Sequence, residues 1–431
     1  MRKFKLNKTG RRICRILGVI FLLLVLFNIY YAFTLNPFPQ ESLPLTETIY
    51  DSAYEAEISR ARRHLKNVSK RLQVPSFSIA VGHQNKIIWS AAEGYQDMES
   101  RTIATPQTQY RIGSTSKSLT ATGVANAFQK KQLFMDASIG DTIINWKRKQ
   151  WDFSMRQLLS HTAGFGNYGD FGMSSWKYTL CNCYEFNTVT EGLNVFNTTD
   201  LLYEPGTDFA YSTFDINFAS AVLEQATGMP FPKYMEQEIF TPLGMKHTYA
   251  DHTRPKSEHF ATFYETDNGY YREFRSFGFR YDINLSYKWA GGGFISTPSD
   301  LVRLGNAWVN DTTFIHTNTK KEFWKPVKLK NGEINEQQYA LGWRSYLDFN
   351  YEHLGDGETS YWVVHHGGVS KGSQNFLVLF PNYNLVIDAS INANVMPFSK
   401  FFAEVMQIAT PFLESLEKEE SQLFLDIKEV Q

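Results

Sequence analysis

Cysteine is scarce in this 431-residue chain, with Cys14, Cys181 and Cys183 the only three. That count excludes a disulfide framework and a four-cysteine zinc cluster; Cys181 and Cys183, one residue apart, are compatible with a local bridge or with two free thiols. Acidic residues are missing altogether before Glu41, and neither an internal repeat nor a low-complexity segment occurs, which rules out a repeat array. Excess positive charge is also lacking, because the formal net charge is −1. Nucleic acid is therefore not an expected partner.

What is present is a strongly uneven front. Residues 1–15 hold seven bases, Arg2, Lys3, Lys5, Lys8, Arg11, Arg12 and Arg15, and an apolar run from Ile16 to Phe33 follows, interrupted by Asn28 and ending in Tyr30 and Tyr31. A span of about 20 apolar residues crosses a bilayer, and aromatic residues favour its headgroup level. We read residues 1–15 as a basic cytoplasmic tail and 16–35 as a transmembrane signal anchor. A cleaved signal peptide is the alternative, but small residues at the −3 and −1 positions are poorly supplied. Positive charge before the span keeps the N-terminus in the cytoplasm and puts the rest of the chain outside, periplasmic or extracellular. Without those seven bases, 36 basic residues face 44 acidic ones, a net −8 that suits a soluble ectodomain.

Pro37, Pro39 and Pro44 mark residues 36–50 as a stiff linker. Tyr54, Ile58, Ala61, Leu65, Val68 and Leu72 alternate steps of four and three, the stripe of an amphipathic helix. Ser76–Val81 and Lys86–Ala91 read as strands joined by a tight connection, as do Gln374–Phe380 and Leu385–Asn392 across Pro381-Asn382-Tyr383-Asn384. Between the two pairs, residues 140–290 mix short helical stretches with long loops, the pattern of an inserted helical lobe. A last helix around Lys400–Ile408 buries Phe401, Val405 and Ile408. The folded domain is placed at 51–412, with 413–431 as a C-terminal tail.

In Tyr110-Arg111-Ile112-Gly113-Ser114-Thr115-Ser116-Lys117, a serine and a lysine stand three apart where a helix from Ser114 to about Lys131 begins. This spacing puts both on one face. A serine hydroxyl becomes nucleophilic when a neighbour takes its proton; a lysine does so once burial or nearby positive charge lowers its pKa. The helix N-terminus adds positive potential for a developing alkoxide. Alone, S-x-x-K is common in helices. Here it is followed in order by Leu158-Leu159-Ser160-His161-Thr162-Ala163-Gly164, by Pro205-Gly206 and Tyr211-Ser212-Thr213, by Trp289-Ala290-Gly291-Gly292-Gly293-Phe294, and by Val364-His365-His366-Gly367-Gly368.

From about residue 65 to 410, this series resembles the β-lactamase-related serine hydrolases, class C β-lactamases and penicillin-binding proteins among them, and most the branch of the mitochondrial β-lactamase-like protein. The resemblance implies an α/β (α+β) fold of the β-lactamase/transpeptidase type, a mainly antiparallel sheet flanked by helices plus an all-helical lobe, with the site in the cleft between them. It implies Ser114 as the acylated nucleophile, Lys117 as its base and Tyr211 as the tyrosine of the second motif. His366-Gly367-Gly368 is favoured over the His365 frame for the third motif, because it needs no extra residue before Gly372. Ser114 and Val369 become the oxyanion donors beside Gly368, while His161 and His365 support the site from behind.

Two positions depart from the family pattern. Thr213 stands where an asparagine that holds substrate is usual, and histidine replaces the lysine of the third motif, weakening the charge that would grip a substrate carboxylate. The expected activity is therefore hydrolysis of a peptide, ester or related small-molecule carbonyl through a serine acyl-enzyme, rather than efficient β-lactam turnover. No metal or organic cofactor is required. Phe165, Tyr168, Phe171 and Trp176 are expected to line an apolar pocket or to form ordinary core. A slowly acylating sensing module and a non-catalytic homologue are the rival readings.

Overall fold

The computed structural model describes residues 8–139, 149–168, 184–196, 200–275, 283–352, 354–418 and 422–429. Seven strands carry the architecture: β1 Leu45–Ile49, β2 Ser76–His83, β3 Lys86–Asp97, β4 Arg344–Phe349, β5 Tyr361–Ser370, β6 Ser373–Phe380 and β7 Leu385–Ile391. They form one antiparallel sheet in the order β4-β5-β6-β7-β2-β3-β1, so the two ends of the chain meet at the β7–β2 pair. The β2–β3 turn is tighter than the expected strand ends at Val81 and Lys86 imply, because β2 continues to His83. Gln84 and Asn85 alone make it, both at positive φ (49° and 65°), as a two-residue hairpin demands.

Helices cover both faces, which is why β2 and β7 are buried along their whole length and do not alternate. One face receives α2 Glu55–Leu65 and α6 Ser399–Ser415, whose Ile58, Leu65, Phe401, Val405 and Ile408 pack on Phe77, Ile79, Val81 and Ile387. The apolar stripe expected as one helix from Tyr54 to Leu72 breaks at Asn67 (φ 69°) and resumes at Val68–Leu72. The Glu93 carboxylate of β3 causes the break by accepting from the backbone N–H groups of Asn67 and Ser69. On the opposite face lie α3 Ser116–Gln129 and α5 Pro298–Asn310, with α4 Thr213–Thr227 and the rest of the helical lobe beyond them. Small residues at Ala121, Gly123, Ala125 and Ala127 let α3 run through the centre with nearly every side chain buried.

The structure corrects three boundaries. Residues 36–50 are not a stiff linker outside the fold: Asn36–Pro37 pairs with Tyr270–Tyr271, Phe38 and Leu43 are buried, and β1 forms the sheet edge beside β3. Residues 413–431 are not simply a tail, because α6 continues to Ser415 and a further helix, Gln422–Lys428, buries Phe424 against Trp362 at 5.6 Å. The 140–290 interval is helical only in part, since short strands at Tyr249–Ala250, Tyr264–Asp267 and Tyr270–Glu273 belong to it. At the N-terminus, α1 Lys8–Phe33 starts eight residues before the apolar run, and its Lys8–Tyr30 part is long and apolar enough to cross a membrane. The side-chain amide of Asn28 is satisfied within the helix by donating to the Leu24 carbonyl at 2.7 Å.

Candidate active site

The site forms where the turn before α3 meets the end of β5. Gly113 adopts φ 51°, and a Cβ there would lie 2.6–2.7 Å from the backbone N, C and O of Val369. Gly368 is tighter still: a Cβ would stand 1.9 Å from the Ile112 carbonyl oxygen. Both positions therefore demand glycine, and the pair brings the backbone of Ser114 alongside that of Val369. The Val369 side chain is 48% exposed, so this strand end borders open space.

Lys117 lies one turn beyond Ser114, with Nζ 3.0 Å from Ser114 Oγ. The same nitrogen donates to the Gly291 carbonyl at 2.6 Å and to Thr213 Oγ1 at 3.4 Å. Gly291 is held in turn by Asn217, whose Oδ1 accepts its N–H at 3.1 Å. Burial, seconded by the Arg344 cation, pushes the Lys117 pKa well below the ordinary lysine value, against a smaller opposing pull from Asp215. A neutral amine has two N–H donors and one lone pair. With the donors committed to Gly291 and Thr213, the lone pair is left for the serine hydroxyl.

Tyr211 precedes the N-cap of α4, Ser212, whose Oγ accepts from Phe214 N–H at 3.1 Å and donates to the Gly166 carbonyl at 2.8 Å. Its ring lies 4.8 Å from Lys117 Nζ and its phenol reaches the Ser114 side chain. Burial pushes its pKa up to about 12, with Arg344 and the Ser114 contact pulling the other way, so it stays a neutral donor. Thr213, expected on the substrate side, instead turns its hydroxyl to Lys117.

Of the two candidate histidines, His366 faces this cavity. Its Nδ1–H donates to the Gly367 carbonyl at 2.7 Å, which leaves Nε2 to accept from the Tyr339 hydroxyl at 2.9 Å. Burial, then Arg344 and Lys117, holds it well below the usual histidine range and therefore neutral. His365 points to the other side of the sheet, stacked on Tyr346 and packed on Phe376, each at 5.3 Å, with burial bringing its pKa down to about 3.

His161 stands behind Tyr211 at 4.5 Å between ring centres, and its Nδ1 is 2.9 Å from Asp215 Oδ2 in full burial. Burial raises Asp215 well above the carboxylate range and lowers His161. Burial thus favours the uncharged form of both partners. Sequence reasoning missed Asp215, Tyr339 and Arg344. The Arg344 guanidinium sits 5.4 Å from the Tyr211 ring and 5.2 Å from that of Tyr339. No spacing ties these residues to the serine; only the β4–β5 pairing delivers Arg344, opposite His365. Phe165 belongs to the lobe core with Phe153 and Phe218, whereas Phe171, Trp176, Cys181 and Cys183 lie outside the described residues.

A serine and a buried amine at the head of a central helix, set against the last residues of an antiparallel strand, define the class of serine hydrolases. The chain belongs to the beta-lactamase family, whose sequence model matches residues 61–403. It is 26% identical over 406 residues to the bovine serine beta-lactamase-like protein LACTB, mitochondrial, covering 75% of this chain and 71% of that one. Its fold matches the octameric penicillin-binding protein homologue from Pyrococcus abyssi with a TM-score of 0.66 at 19% identity, over 83% and 79% of the two chains. The D-amino acid amidase from Ochrobactrum anthropi SV3 superposes with a TM-score of 0.65 at 20% identity, over 83% of this chain and 98% of the amidase. Members of this family are serine hydrolases, and so is this protein.

Proposed function

We propose that the protein hydrolyses a peptide, amide or ester bond through an acyl-enzyme on Ser114. The observation that carries this reading is the 3.0 Å approach of Ser114 Oγ to a buried amine that also contacts the Gly291 carbonyl and Thr213 Oγ1. Lys117 takes the hydroxyl proton as Oγ adds to the substrate carbonyl, and the backbone N–H groups of Ser114 and Val369 receive the oxyanion. Tyr211 passes a proton to the departing group, which leaves with the bonding pair. Water then adds to the ester, and reversal of the proton path frees Ser114. His366, Tyr339, His161 and Asp215 hold Tyr211 and the strand end in place.

The departures at Thr213 and His366 argue against efficient β-lactam turnover. No amide stands at the second-motif position, and the third-motif side chain is a neutral imidazole. The name of the amidase neighbour fits an amide substrate. The basic start and the apolar α1 support an anchor in the membrane with the hydrolase domain on the far side. Labelling with a fluorescent fluorophosphonate tests the reading. One adduct is expected, placed on Ser114 by peptide mass mapping and absent in Ser114→Ala; an adduct on another residue would overturn it.

A further inference from the structure

With a neutral histidine in the third motif, fixed positive charge for a substrate has to come from another part of the cleft. Lys288 opens the short turn Trp289–Gly292, whose Gly291 carbonyl takes the Lys117 amine. It is 8% exposed, yet its amine makes no hydrogen bond or ion pair with any described residue. Nζ lies instead 5.7 Å from the Tyr168 ring and 5.6 Å from the Tyr287 ring. The Tyr168 phenol is beside Thr213, the residue that touches Lys117, so Tyr168 and Thr213 lie between Lys288 and the reacting pair.

The charges acting on Lys288 are Lys371, Lys117 and Arg111, opposed by Asp251. Arg111 is fixed by donating to the Lys371 carbonyl at 3.2 Å and by stacking 4.3 Å over Phe263. This places two more cations at the β5–β6 turn, just past Val369. A buried amine to which no described residue offers an acceptor, with Lys117 and Lys371 acting on it as further cations, is stabilised by an anion entering the cleft.

We propose that Lys288 anchors an anionic group of the substrate, a carboxylate in the first instance, and so selects negatively charged acyl donors. This deepens the Ser114 hydrolase reading and rests on it. Burial, then Lys371, Lys117 and Arg111, brings the Lys288 pKa down to about 7, against Asp251. The anchor is charged below that pH, so the preference for an anionic substrate weakens as the pH rises through it.

Two activated esters of similar length test the proposal on the detergent-solubilised full chain: p-nitrophenyl hydrogen glutarate, which ends in a carboxylate, and p-nitrophenyl butyrate, which does not. Lys288→Met is expected to lower the glutarate-to-butyrate ratio of kcat/KM about tenfold, and Lys288→Arg to restore most of it. A ratio in Lys288→Met within about twofold of wild type overturns the anchor. Glutaramate binding to Ser114→Ala, followed by calorimetry with and without Lys288→Met, separates this outcome from failure of the hydrolase reading. Binding that depends on Lys288 in a chain with no esterase turnover keeps the anion site and sinks the hydrolase. Turnover with an unchanged ratio, and glutaramate binding indifferent to Lys288, sink the anion site alone.

Discussion

Lys117 is useful to Ser114 only as a neutral amine, and the residues around it decide its protonation. Burial is the main cause of its lowered pKa and Arg344 the second, so replacing the guanidinium has a calculable direction. Arg344→Met should let the Lys117 pKa climb, moving the acid limb of the pH–rate profile to higher pH; a profile that stays put would show that Arg344 does not act on Lys117. The serine, the lysine, Tyr211 and His366 were all legible, because each lies in a short motif with a fixed order. Arg344, Tyr339 and Asp215 were not, because they reach the cavity through strand pairing and a buried histidine, which leave no local spacing. The choice between His365 and His366 follows from the side of β5 that each faces.

Elements hold the site by close approach of backbone rather than by side-chain contact. The turn before α3 and the end of β5 fit because Gly113 and Gly368 lack a Cβ. Gly368→Ala would force a methyl to 1.9 Å from the Ile112 oxygen, so the strand must retreat from the turn. The expected cost is about 1–3 kcal/mol of stability, read by thermal unfolding, and a loss of about 100-fold or more in kcat, because an oxyanion donor is displaced. Wild-type kcat in that variant would contradict the assignment of Val369 N–H. The hairpins around β2–β3 and β6–β7 were legible from turn chemistry. Edge strand β1 was not, because Leu45-Thr46-Glu47-Thr48-Ile49 is short, nowhere fully buried and preceded by three prolines, the composition of a spacer. The break in the first amphipathic helix depends on Glu93, a residue that is distant in sequence.

For the whole molecule, both chain ends enter one sheet and helices close over both of its faces, so titratable groups are buried far from solvent. His365 is the clearest case, with its Nδ1 buried and without a partner and its pKa near 3. Its folded pKa is below the unfolded value of about 6.5, so the stability it allows is present above that pH and lost as the pH falls towards 3. His365→Phe removes this liability. Relative to wild type it should gain about 2 kcal/mol between pH 7 and pH 5, seen as a Tm difference that widens on acidification, with hydrolysis retained. A pH-independent difference would mean that His365 takes up its proton as readily in the folded protein as in the unfolded chain.

The central claim is that an unprotonated Lys117 accepts the Ser114 proton, and the rate of Ser114 phosphonylation measured against pH tests it most directly. The account predicts a plateau reached well below pH 10.5, the ordinary lysine value, and a rate lowered by about 100-fold or more in Lys117→Met. A rate still climbing through pH 10, or a Lys117→Met chain that is labelled as fast as wild type, would contradict it.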